Sequence, residues 1–376
     1  MVVPSFNMNL RLFPKSVLFF LSVFALVLQS CSEKESVIQA RRIEINRSKN
    51  FEISGVDISS QVLIGKTNTV FYDSFGKAVS LLDFYKNNGV NTIRLRTWVG
   101  ENNAYSLPVM ASFSDEIKSV GLNTWIDLHY SETWADPGNQ AIPQKWKNLS
   151  LTVLIDSMVQ YTKLVCERTK PNIIQVGNEI NNGLVWPVGT MGDTSAFFKI
   201  LRACTKQCRI SAPNARILLH YAGVNNALAF FWWMRDHQVE FDIAGISYYP
   251  KWHGRSLDSL FNVMGDIQFY LRKQPIIAET SYPFTLGWND YTNNVMGAEG
   301  DLLSGYPATP LGQYSFMKEL VNRSRKLPFS SGVCYWESNW VAYKGPVSTD
   351  GSPWENQAWF DFSNKALPVN WIFKNP

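Results

Sequence analysis

A chain of 376 residues, 45% hydrophobic and 18% charged, is long enough to bury a large core as one big domain or two ordinary ones. Its net charge of +4 is small and its basic residues are dispersed, which excludes the charge-driven partners, nucleic acid and acidic membrane surfaces. The 4 histidines show neither His-x-His nor His-Glu-x-x-His spacing, so no metal or other cofactor is expected. The informative figure is the ring content. With 14 Trp, 15 Tyr and 23 Phe, aromatic side chains exceed what a core needs, and the tryptophans lie largely beside Asn, Gly, Pro and His in loop-like sequence. Such rings suit flat apolar ligand faces, because each offers a large contact area at low entropic cost.

At the start of the chain, Arg11 and Lys15 precede an apolar run from Val17 to Leu28 that is too short to span a bilayer comfortably. Leu28-Gln-Ser-Cys31 then resembles the bacterial lipobox, in which the chain is cut before the cysteine and that cysteine is lipidated. Residues 1–30 are therefore expected to be a signal peptide, Cys31 the lipidated residue, 31–50 a polar tether, and 51–376 a single domain. The expectation is an exported protein held to a bacterial membrane by its lipid anchor. Of the remaining cysteines, Cys204 and Cys208 are spaced to share a helix face rather than to bond each other. A bridge from Cys166 to one of them is open; the lack of a cysteine-rich framework favours buried thiols, Cys334 included.

From residue 51 onward, short β-prone runs end in polar residues, and each is followed by a loop and a helical pattern. They are Gly55 to Ser59, Asn91 to Trp98, Asn123 to Tyr130, Asn172 to Glu179, Ala215 to Tyr221, Asp242 to Tyr249, Gln274 to Glu279 and Gly332 to Trp336. Helical periodicity lies between them, as in Ala78 to Asn87, Leu151 to Arg168, Ser195 to Ser211 and Leu257 to Arg272. Eight strands alternating with helices predict an α/β fold, the (β/α)8 TIM barrel, whose functional residues gather at the C-terminal strand ends. An open doubly wound sheet would more often carry a Gly-rich phosphate turn after its first strand, and none is present. The long connection from Tyr282 to Leu320 is expected to wall one end of a groove.

Two carboxylates stand out at the predicted strand ends, Glu179 on the fourth and Glu279 on the seventh, roughly opposite one another across the barrel mouth. Facing carboxyls are what glycosidic cleavage requires, one protonated to donate to the leaving oxygen and one ionised to attack the anomeric carbon. Around them, Asn178 could bond a sugar hydroxyl, Arg96 and Tyr249 could keep Glu279 ionised, and Trp336 could floor a subsite. Asp57 and His129 end two further strands and are expected, with Arg96, to contact the substrate.

These features resemble glycoside hydrolase clan A. More specifically, Leu128-His-Tyr-Ser-Glu-Thr-Trp-Ala-Asp-Pro-Gly138, Gln175-Val-Gly-Asn-Glu-Ile180, Gly245-Ile-Ser-Tyr-Tyr-Pro250 with Trp252-His253-Gly254, and Ala278-Glu-Thr-Ser-Tyr-Pro283 are similar to family 53, the arabinogalactan endo-β-1,4-galactanases. The resemblance implies β-1,4-galactan as the substrate, with Glu179 as general acid/base and Glu279 as nucleophile of a retaining double displacement. Their carboxyls would then lie about 5–5.5 Å apart. It further implies that Asn178 meets the 2-hydroxyl and that His129, Trp134, Asp136, Trp252 and His253 are subsite residues. Some bacterial members bind calcium after strand seven. Here Trp288-Asn-Asp-Tyr-Thr-Asn-Asn294 offers Asp290 as its one charged ligand, so no metal is expected.

Overall fold

The computed structural model describes residues 52–101, 103–328 and 331–374. The expected signal peptide, Cys31 and tether lie outside them. Eight strands form a closed barrel: β1 (Ile53–Asp57), β2 (Thr92–Thr97), β3 (Asn123–Leu128), β4 (Ile173–Val176), β5 (Arg216–Ala222), β6 (Ile243–Ser247), β7 (Gln274–Thr280) and β8 (Gly332–Tyr335). Each pairs in parallel with its sequence neighbour, and β8 closes onto β1 through Ile53–Gly332 to Val56–Tyr335. All eight predicted runs overlap a barrel strand.

One main helix crosses over between each successive pair: α1 (Leu81–Asn87), α2 (Leu107–Ser119), α3 (Leu151–Thr169), α4 (Thr194–Ser211), α5 (Ala227–Asp236), α6 (Leu257–Asp266) and α7 (Pro310–Arg325), with single short helical turns at Gln61–Ile64 and Pro250–His253 besides. Helix starts are written in the sequence. Ser150, Asp193, Ser256 and Thr309 each accept a first-turn backbone N–H, satisfying one of the donors a helix start leaves without a partner. Two expectations need correction. The helix predicted to run to Arg272 leaves α geometry after Asp266 and continues as a π turn over Ile267–Leu271. The connection after Tyr282 is loop only in its first part. Thr309 then caps a helix whose Phe316, Met317, Leu320 and Val321 recur at helical spacing and are buried.

The strands are buried on both faces, as closure inside a ring of helices demands. Outward residues join the helices in one large core. Inward Ile53, Trp125, Ile173, Leu218, Ile243, Ile276, Ala278 and Cys334 form a separate plug inside the barrel. Cys166, Cys204, Cys208 and Cys334 are buried free thiols. No helix among the described residues is long and apolar enough to cross a membrane.

Phe231 on α5 is fully buried against Phe230, Phe241 and Tyr221. Phe231→Ala is expected to lower unfolding stability by about 3–5 kcal/mol in denaturant titration, because it removes the ring and leaves a cavity.

Candidate active site

Strand alternation sets the floor of the barrel mouth. On β2, Arg94 and Arg96 are two residues apart and therefore both face inward. On β4 the inward residue is Gln175, and the chain then turns through Gly177 at φ 82°, which brings Asn178 and Glu179 over the mouth. A Cβ at Gly177 would lie 2.5 Å from Ile180 Cγ2, so glycine is required there on two counts. Glu179 itself is left-handed, at φ 46°. On β7 the register slips: Ile246 pairs with Ile277 but Ser247 with Glu279, and Val333 pairs with Ile277 but Tyr335 with Thr280. The extra residue is a bulge that re-aims Glu279 into the mouth, where strict alternation from Ile276 would have sent it outward.

Arg94 is the hub. Its Nη1 lies 3.0 Å from Asp57, and its Nη2 lies 2.8 Å from both Asp127 and Glu279 and 2.9 Å from Asn178 Oδ1. Nε donates to Gln175 Oε1 at 3.2 Å, and the guanidinium sits 5.3 Å from the Trp125 ring centroid. Burial opposes the charge, but Asp127, Glu279 and Asp57 hold the guanidinium protonated well above its ordinary range. Each carboxylate also has a donor of its own. Ser59 donates its N–H and hydroxyl to Asp57, His129 Nε2 is 2.9 Å from Asp127, and the Tyr249 hydroxyl donates to Glu279 at 3.3 Å.

Glu179 has no such cation. Its Oε1 lies 2.5 Å from Ser247 Oγ. Burial pushes its pKa up to about 7 against the pull of a Ser247 hydroxyl where that hydroxyl donates, while the charge of Asp136 adds to the rise and Arg94 opposes it. Burial also raises Glu279, with Glu179 adding and Arg94 opposing. Two buried carboxyls that raise one another do not both ionise near neutrality. The direct ion pair decides between them: Glu279 keeps its charge against Arg94, and the proton rests on Glu179.

A cleft of about 450 Å³ opens over this pair, lined by both glutamates and by Arg94, Arg96, Asn178 and Trp354 among others. The expected residues His129, Trp134, Asp136, Tyr249, Trp252, His253 and Trp336 line it too. Its aromatic wall is continuous: Trp134 to Trp336 is 5.9 Å between ring centroids, Trp336 to Trp354 is 4.7 Å, and Trp354 stacks on Trp252 at 6.5 Å. Asp136 also shapes a turn by accepting from Gly138 and Asn139 N–H. His253 accepts from the Tyr249 N–H, and burial lowers its pKa to about 4, so it is neutral. A larger cavity of about 760 Å³ beside α5 holds neither carboxyl.

Two expectations are corrected. Asp57 does not line the cleft; it is fully buried beneath it, holding Arg94. Arg96 is not the partner of Glu279. It ion-pairs with Glu337 and lies 4.1 Å from the Tyr105 and Trp134 centroids, so Arg94 supplies the charge. Gln175, His220, Ser247 and Trp354 carry functional contacts that sequence reasoning left unassigned. Ser247 ends β6, and that position was the available signal.

The loop after β7 gathers three buried oxygens without partners, Asp290 Oδ2, Asn294 Oδ1 and Glu355 Oε2. Glu355, distant in sequence, adds a second carboxylate beside Asp290. These side-chain donors fall short of the six to eight oxygens calcium takes, and no group of three His, Cys, Asp or Glu suited to a metal occurs among the described residues. No chemistry is assigned to a metal here.

Comparison with known proteins matches residues 53–373 to glycosyl hydrolase family 53. An arabinogalactan endo-beta-1,4-galactanase of Cellvibrio japonicus is 30% identical over 326 residues, 81% of this chain and 85% of its own. The GH53 catalytic domain of Ignisphaera aggregans superposes with a TM-score of 0.82 at 34% identity, over 86% of this chain and 95% of that one. A fungal β-1,4-galactanase superposes at 0.75 with 26% identity, over 86% and 99%.

Arg94→Leu is expected to lower stability by about 3–5 kcal/mol, because Asp57 and Asp127 remain buried without their cation. Urea unfolding of the variant measures the loss, and a change below about 1 kcal/mol would contradict the hub.

Proposed function

The chain belongs to glycosyl hydrolase family 53, and on that premise we propose that it is an endo-acting hydrolase of β-1,4-galactan working by retaining double displacement. The observation that carries the mechanism is the unequal treatment of two neighbouring carboxyls, Glu279 against the Arg94 guanidinium and Glu179 raised to about 7 by burial.

In the first step a Glu279 oxygen attacks the anomeric carbon as the glycosidic C–O bond breaks, and Glu179 gives its proton to the departing oxygen. Forming the ester removes the charge of Glu279, so the pKa of Glu179 falls and it becomes a base. In the second step Glu179 takes a proton from water, whose oxygen attacks the anomeric carbon and releases Glu279. We assign the sugar 2-hydroxyl to Asn178, which lines the cleft, and stacking of successive rings to the tryptophan wall. His129, Asp136, Tyr249 and His253 complete the subsites, and Arg96 backs Trp134.

Glu279→Gln is expected to abolish release of reducing ends from linear galactan, and Glu179→Ala to lower the rate by about 10²–10⁴-fold. Activity on mannan or xylan with none on galactan would move the substrate to another β-linked glycan. Undiminished hydrolysis by Glu279→Gln would remove it as nucleophile. The acid step needs protonated Glu179, so kcat/KM should fall as pH rises through about 7, and Glu179→Ala should lose that limb.

We further propose that the chain is exported and anchored through lipidated Cys31, on the lipobox-like Leu28-Gln-Ser-Cys31. Metabolic labelling with a radioactive fatty acid should mark the wild type and not Cys31→Ala. Equal labelling of both would contradict the anchor.

A further inference from the structure

We propose that Ser247 and His220 form a one-way hydrogen-bond chain that holds the proton on Glu179, so that Ser247 acts on the carboxyl as an acceptor and not as a donor. This rests on Glu179 being the acid/base of the preceding section. Neither Ser247 nor His220 is a member of the cleft lining; they act through Glu179 and are positioning residues.

The direction of the chain is set at its far end. The Asn178 amide cannot turn over, because Nδ2 donates to the Ala135 carbonyl at 2.8 Å while Oδ1 accepts from Arg94 at 2.9 Å. Oδ1 therefore presents an acceptor to His220 Nδ1, 2.9 Å away, and that nitrogen must carry the hydrogen. Gln175 Nε2 also lies 3.1 Å from Nδ1, but its two hydrogens have other acceptors, the Gly177 carbonyl and Asn178 Oδ1, each at 3.1 Å.

His220 is fully buried. Burial and the nearby Arg94 keep it neutral, against Asp127, with His129 and His253 adding to the effect. A neutral ring with hydrogen on Nδ1 has a bare Nε2, so at 2.8 Å it accepts from the Ser247 hydroxyl.

Serine has one hydrogen, and it is now committed to His220. Across the 2.5 Å to Glu179 Oε1, Ser247 Oγ can only accept, and the hydrogen between them belongs to Glu179. The donors run Glu179 to Ser247 to His220 to Asn178. Loss of the Glu179 proton breaks this order: if Ser247 turns to the carboxylate, Nε2 is left without a donor, and if it does not, two acceptors face each other at 2.5 Å. The chain thus favours the acid form by hydrogen-bond count, independently of Arg94, Asp127, Asp136 and Glu279, which act on Glu179 through charge.

The sign of one shift tests this. Ser247→Ala removes an acceptor that favours protonated Glu179, so the basic limb of kcat/KM should move down by about one pH unit. Ser247→Thr, which keeps the hydroxyl, should restore it. A serine that merely donates to the carboxylate requires the opposite, a limb moved upward, and an upward or absent shift overturns the proposal. The second measurement needs no variant and no substrate. In protein labelled with ¹⁵N-histidine, His220 at pH 5 to 6 should be the neutral tautomer with hydrogen on Nδ1; hydrogen on Nε2, or an imidazolium, overturns it. Failure of galactan hydrolysis would leave the tautomer result standing, so the two failures are distinguishable.

Discussion

One buried guanidinium bears on nearly everything at the mouth of this barrel. Arg94 is almost inaccessible, and it binds carboxylates from β1, β3 and β7 at 2.8–3.0 Å. A charge so placed is tolerated only because it is fully paired and hydrogen-bonded, and its partners are tolerated only because of it. On the proposed mechanism the same contacts that tie three strands together also divide two glutamates into an ion and an acid. Structural and chemical roles are here the same set of bonds.

The scaffold supplies the remaining asymmetry through backbone geometry. Glu179 reaches the cleft by a left-handed turn after Gly177, and Glu279 by a bulge that breaks the two-residue rhythm of β7. Both departures from regular structure fall at the carboxyls, as expected where a site requires aim over ideal geometry. Above them, four tryptophans from the connections after β3 and β6 and from the segment after β8 form one wall, with Trp134 stacked further on Trp340 at 6.1 Å. Polar chemistry therefore sits at the bottom of the cleft and stacking surface along its side.

Much of this was legible in the sequence, because each strand ends where apolar residues give way to polar ones and those polar ends are the site. Glu179, Glu279 and Trp336 stand at such ends, whereas Trp134 and Trp252 came from the resemblance to family 53. The roles of Asp57, Arg94 and Arg96 were not. Arg94 and Arg96 share one parity on one strand, and only three-dimensional depth separates the guanidinium beneath Glu279 from the one paired with Glu337. The β7 bulge leaves no compositional mark, since a register slip is a property of pairing and not of residue type. Trp354 lies in a long irregular segment after β8, where periodicity gives no guide. His220 and Ser247 look like ordinary inward strand residues until their hydrogens are counted.

The central claim is that Arg94 leaves Glu279 as the ionised carboxyl that attacks the sugar. Its most direct test is to trap the enzyme with an activated 2-deoxy-2-fluoro-galactoside and map the labelled peptide by mass spectrometry. One covalent galactosyl adduct is expected, on Glu279. An adduct on Glu179 or on any other residue would contradict it.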